Sequence, residues 1–206
     1  MRKWIAGVAV LVVAAGAAAF LWLGDGTADV RPAVFRAESS TAHYAPIATR
    51  ALDPEPLTAA EMFPGASVTA GEVTLERKDT ESLDDCAEAV WGAAADALAG
   101  CTQVLRARYA TADGKVTGQF LIFNLADSAA ADRLVAAFKG DGFVRPAPGT
   151  PEGFDAPRSW AQARALGHYV TVSWVGPAVS GTKADLTYPQ VAVDGVGLVI
   201  QRRLLR

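Results

Sequence analysis

His168, the pair Cys86 and Cys101, and the tryptophans Trp91, Trp160 and Trp174 are the side chains of this sequence with the most chemistry to offer. A histidine in a nucleophile–His–acid set would draw on Ser159 or Ser173 and an aspartate. The surrounding sequence has no GxSxG elbow and no HExxH. His168 therefore reads as a half-exposed histidine at the start of a strand. Trp160 and Trp174 are candidate ligand-binding residues with it, because large aromatics can line a groove for a sugar or a lipid. The competing reading of all three tryptophans is core packing. The acidic run Asp79, Glu81, Asp84, Asp85 and Glu88 lacks EF-hand spacing and is read as helix capping and a solvated surface. Arg106 and Arg108 alternate onto one face of a strand, which suggests either an anion site or a solvated sheet face. No catalytic residue, metal site or cofactor is assigned.

The two cysteines pose a geometric problem. Outside the cytoplasm a pair of thiols usually ends up bonded. If residues 86–101 formed one straight helix, the two Cα atoms would stand about 22 Å apart, whereas a disulfide needs roughly 4.4–6.8 Å. Either the pair is not bonded, or the helix is interrupted and Cys86 folds back. Gly92 is the place for that break. The compartment favours the bond, and a catalytic or redox thiol would want a CxxC or an adjacent His.

Several elements are expected to position these residues. Thr58 and Glu61 have capping-box spacing ahead of a short helix ending at Phe63-Pro64-Gly65. Val68–Lys78 reads as a strand with a turn or bulge at Gly71. Asp84 and Asp85 can cap a helix running to Leu98. Val104–Tyr109 and Val116–Leu125 form a hairpin about Asp113-Gly114. Asp127 caps a helix carrying Leu134, Val135 and Phe138 on one stripe, with Gly140 at its stop. After a short extended piece at 143–145 and a Pro/Gly-rich loop at 146–157, two strands, 159–165 and 168–175, join near Gly167. Residues 189–205 are ambiguous between helix and strand, with helix preferred despite Gly195 and Gly197. The order implies an α+β fold: an antiparallel sheet with helices on one face, ferredoxin-like (βαββαβ plus additions).

Ahead of these elements, Arg2 and Lys3 precede an uninterrupted apolar run from Trp4 to Leu23. Twenty such residues are about enough to cross a bilayer, and the flanking charge places the N-terminus in the cytoplasm. Residues 1–26 are thus expected to be a cytoplasmic start and transmembrane anchor. A cleaved signal peptide is the rival reading, with small residues at Ala17-Ala18-Ala19 and Gly26-Thr27-Ala28. Residues 27–56 read as a linker lifting the domain off the membrane, and residues 57–206 as one extracytoplasmic domain. The net charge is −3, which argues against a nucleic-acid partner.

Leu57-Thr58-Ala59-Ala60-Glu61-Met62-Phe63-Pro64, then Cys86-Ala87, then Ala99-Gly100-Cys101 leading into Val104-Leu105-Arg106-Ala107-Arg108-Tyr109 resemble a group of uncharacterised exported, membrane-anchored proteins of high-GC Gram-positive bacteria. The resemblance covers about a third of the chain and transfers no activity. A fainter similarity links the chain to the extracellular sensor domains of bacterial Ser/Thr kinases, and no residues are carried across. The expected role is a binding or accessory module of the cell envelope that contacts an envelope protein, a lipid or a wall polymer. An envelope hydrolase or transferase with an unfamiliar site is the alternative.

Overall fold

Phe120, Leu121, Ile122 and Phe123 are consecutive apolar residues in one strand, so their side chains point alternately to opposite faces and both faces must be covered. The computed structural model, which describes residues 30–205, resolves this with helices on each side of a curled seven-stranded sheet. The nine strands among the described residues are β1 (Val34–Glu38), β2 (Ser67–Ala70), β3 (Val73–Leu83), β4 (Val90–Gly92), β5 (Gln103–Thr111), β6 (Val116–Asn124), β7 (Gly142–Val144), β8 (Trp160–Leu166) and β9 (Tyr169–Pro177). The large sheet has the order β1-β8-β9-β6-β5-β3-β2, and β4 and β7 form a separate pair. Every position of β6 and β9 is buried.

On one face Leu121, Phe123, Val170, Val172 and Trp174 pack beneath helix α3 (Ser128–Ala137) and the β4–β7 pair. On the other, Phe120, Ile122, Tyr169 and Val175 pack beneath α4 (Thr187–Asp194) and the 3-10 helix Gly195–Leu205 that continues it, with Met62 of α1 (Ala59–Met62) alongside. The C-terminal segment is thus helical throughout its described length. The mixed α+β class holds, but the expected placement of helices on one face does not. Nor does the expected ferredoxin-like topology: β3 pairs antiparallel with β5, its next neighbour in the large sheet, so no strand is left between them as a split βαβ requires.

The local signals act as read. Thr58 Oγ1 accepts from the Glu61 amide at 3.1 Å, and Asp127 Oδ1 accepts from the Ala130 amide at 2.7 Å. Gly71, at φ +55°, turns the β2–β3 hairpin. The helix expected over 84–98 is not formed. A 3-10 turn at Cys86–Ala89 gives way to β4 and then to the four-residue helix α2 (Ala93–Asp96). The break falls at Gly92, with φ +61°, where a Cβ would lie 2.4 Å from the Asp141 carbonyl oxygen. Folding back brings the Cα atoms of Cys86 and Cys101 to 6.3 Å, and the two are disulfide-bonded.

The expected linker 27–56 and the domain start at Leu57 also need correction. Within it, β1 adds to the sheet edge in parallel with β8, Ala42–Ile47 forms a 3-10 helix, and Ile47 is buried in the core. Val30 packs against the core as well. The Arg31 guanidinium donates to the carbonyls of Phe138 and Gly142, each at 2.7 Å, closing the C-terminal end of α3. The apolar run Trp4–Leu23, and with it the expected membrane span, lies outside the described residues. Among the described residues no helix is long and apolar enough to cross a membrane.

Candidate functional site

The edge strand β1 and its neighbour β8 run side by side in register, so Arg36 lies beside Gln162 and Glu38 beside Arg164, all on the α4 face with Trp160. Because α4 covers the central strands and stops short of this edge, the side chains form the floor of an open groove of about 520 Å³. One wall is α4 and its 3-10 continuation, with Gln190, Asp194, Leu198 and Gln201. The other is Ser39, Thr41 and Tyr44.

The polar groups of the floor form one network. Arg164 Nη2 donates to Asp194 Oδ2 at 2.9 Å, Arg164 Nε donates to the same carboxylate, and Arg164 Nη1 donates to Glu38. Gln162 Nε2 donates to Glu38 Oε1 at 2.8 Å. Ser173 Oγ donates to Asp194 Oδ1 at 3.1 Å and accepts from Gln190 Nε2 at 2.8 Å. The two carboxylates hold the Arg164 guanidinium charged, above its ordinary range, against the opposing effect of partial burial. The Arg36 guanidinium stacks 5.4 Å from the Trp160 ring, a cation–π contact that fixes the half-buried indole at the groove floor. Such a site can bind and orient a polar ligand. It holds no nucleophile–base pair.

Two devices hold the walls in place. The first is the docking of Ile47, which ends the 3-10 helix bearing Tyr44. Its carbonyl accepts from the His168 amide at 2.9 Å and meets His168 Nδ1 at 2.8 Å. The approach requires Gly167: a Cβ there would stand 2.3 Å from the Ile47 oxygen, at a φ of +66°. The second is Arg203, near the end of the 3-10 continuation. Its side chain is 1% exposed and donates to both oxygens of Asp53 at 3.0 and 3.1 Å, to the Glu55 carbonyl at 2.7 Å and to Glu61 Oε1 at 2.8 Å. The Tyr169 hydroxyl donates to Asp53 Oδ2 at 2.8 Å, and burial pushes this phenol well above its ordinary pKa, so it stays a donor.

The sequence candidates therefore separate. Trp160 lies in the groove. Trp174 is core: it is 1% exposed, its Nε1 donates to Ser159 Oγ at 2.7 Å, and Phe143 and Phe154 pack edge-on against it. Trp91 is buried as well. His168 is fully buried instead of half-exposed and touches no groove residue that could serve as nucleophile. Arg106 and Arg108 are paired across the sheet with Glu81 and Asp79, and Gln119 sits directly opposite Arg108 on the same face. Ser180 and Lys183 have SxxK spacing, but both are exposed in irregular chain between β9 and α4, with no helix to bring amine to hydroxyl. Among the described residues no cluster of three His, Cys, Asp or Glu is placed to hold a metal. The groove residues missed from sequence include Arg36, Glu38 and Tyr44, which lie in the expected linker, and Gln162, Arg164, Gln190 and Asp194, which carry no local motif.

Burial lowers the pKa of His168 by disfavouring the charged ring, and this outweighs the opposing hydrogen bond from Nδ1–H to the Ile47 carbonyl; Nε2 has no partner among the described residues. The unfolded chain then binds more protons than the folded one as pH falls through about 6.5. Stability contributed by neutral His168 is present above that pH and is lost as the pH drops toward the lowered folded-state value. Denaturant midpoints measured from pH 7 to pH 5 should fall, and His168→Asn, which keeps a donor for Ile47, should flatten the slope. A slope unchanged by the substitution would contradict the assignment.

Comparison of the chain with protein-family models, with curated proteins and with solved structures yields no match.

Proposed function

We propose that this chain is a membrane-anchored, extracytoplasmic binding or accessory module of the bacterial cell envelope, and that the groove between β1–β8 and the C-terminal helices is its ligand site. The observation that carries the reading is the groove itself. It gathers an aromatic floor and planar amide and guanidinium groups in a concavity of a size suited to a small ligand or a polymer segment. Two other grooves, of about 530 and 560 Å³, are lined mainly by apolar and small residues and gather no comparable polar network.

The disulfide supports an oxidising compartment, and the basic start followed by the apolar run supports an anchor with its N-terminus in the cytoplasm. Six residues, 24–29, then join the end of the run to the first described residue. The seven residue steps from Leu23 to Val30 span at most about 25 Å fully extended, so the domain is held close to the bilayer surface. A hydrolase or transferase using His168 is disfavoured by its burial. Its substitution by Ala should cost stability, through the lost contact to Ile47, before any loss of binding.

The test uses full-length protein in detergent micelles, cosedimented with peptidoglycan sacculi from a high-GC Gram-positive bacterium. Retention is expected, and Trp160→Ala should weaken it at least about tenfold, as for an aromatic anchor in a pocket. Undiminished retention of the variant would overturn the groove as the site.

A further inference from the structure

We infer that the groove takes a neutral glycan: a chain of uncharged hexose or N-acetylated hexosamine units. This rests on the groove being the ligand site and adds the class of ligand. The first ground is charge. Two guanidinium groups, Arg36 and Arg164, and two carboxylates, Glu38 and Asp194, are the charged groups of the lining, so its formal charge is zero. Both carboxylates are already engaged by Arg164, which leaves a cationic ligand no free anion. An anionic ligand would find Arg36 alone, exposed and stacked on Trp160.

The second ground is polarity. An acyl chain needs a dry apolar wall, and this groove is floored by a hydrogen-bonded network. A peptide adding to the sheet would use the backbone edge of β1, whereas the groove occupies the face to which the side chains of Arg36 and Glu38 point.

What remains suits a sugar. Trp160 and Tyr44 line the groove as aromatic surface suited to the apolar C–H face of a pyranose, and hydroxyls both donate and accept, as amides do. Gln162 and Gln190 are 8% and 3% exposed, fixed in place by bonds to Glu38 and Ser173. The Gln190 amide oxygen has no donor among the described residues.

The experiment is calorimetric titration of full-length protein in detergent micelles with chitotetraose and cellotetraose, and with an anionic poly(glycerol phosphate), at about 0.05 and 0.5 M NaCl. The expected result is saturable binding of a neutral oligosaccharide, changed less than about twofold by salt, because no net charge is neutralised. Trp160→Ala should weaken it at least about tenfold. Thr41→Trp, at an exposed rim position, should do the same with an unchanged melting temperature, which separates a blocked groove from an unfolded one. Failure of both neutral oligosaccharides, or tighter and salt-sensitive binding of the anionic polymer, overturns the glycan assignment. If retention on sacculi still depends on Trp160, the groove survives as a site for another ligand class, a peptide first among them. If it does not, both readings fall together.

Discussion

Arg203→Met is expected to lower folding stability by about 3–5 kcal/mol, the usual result of removing one partner from a buried ion pair. The guanidinium is almost wholly buried between Asp53 and Glu61 and also satisfies the Glu55 carbonyl. Methionine fills much of the volume but leaves the Asp53 carboxylate, 6% exposed, with the Tyr169 hydroxyl in place of a full charge. With an m-value of about 2 kcal/mol/M, the urea midpoint should fall by about 2 M. Arg203→Met combined with Asp53→Asn should recover part of the loss, because the uncompensated charge goes with the second substitution. The variant should also lose ligand affinity, since Arg203 docks the helix that forms one wall of the groove. A shift of less than about 1 kcal/mol would mean that this network is a solvated surface pair.

Replacing both Cys86 and Cys101 with Ser should cost about 3 kcal/mol, the chain-entropy estimate for closing a loop of this length. Cys86 is 5% exposed and packs with Leu83, Val90 and Trp91, so the bond also fixes the fold-back that lets β4 pair with β7. The double variant is preferred to either single one, which would leave a free thiol. The check is the denaturant midpoint of the double variant against the oxidised and the reduced wild type. Reduced protein should match the variant closely. Equal midpoints for all three would show that the fold-back is held by packing alone.

Hairpins and caps were legible in the sequence because their causes are local. The turn at Asp113-Gly114, the glycine between β8 and β9, and the capping side chains of Thr58 and Asp127 each act within a few residues. The segment 84–98 misleads for the same reason. Its alanines and acidic start favour a helix, yet Gly92 takes a positive φ and Val90–Gly92 pair with Gly142–Val144, about fifty residues on, so tertiary pairing outweighs propensity. The expected linker failed similarly. Val34–Glu38 has little to mark it as a strand until Trp160–Arg164 lies beside it. That one omission hid one wall and part of the floor of the groove, because Arg36, Glu38, Ser39, Thr41 and Tyr44 all lie there, and it also left His168 looking exposed when Ile47 covers it. Trp160 is one of several aromatics in the sequence, and nothing local distinguishes it from Trp174. The register separates them: Trp174 points to the α3 face, where it is 1% exposed, and Trp160 to the α4 face, where α4 covers β9 and stops short of β1, leaving a groove.

The claim that the groove is the ligand site is tested most directly by closing it without disturbing the core. Thr41 is exposed at the rim, and its side chain makes no cap to the 3-10 helix that follows. Thr41→Trp in the full-length protein should leave the melting temperature unchanged and reduce retention on peptidoglycan sacculi at least about tenfold. Full retention by this variant, at an unchanged melting temperature, would contradict the account and place any binding surface elsewhere on the domain.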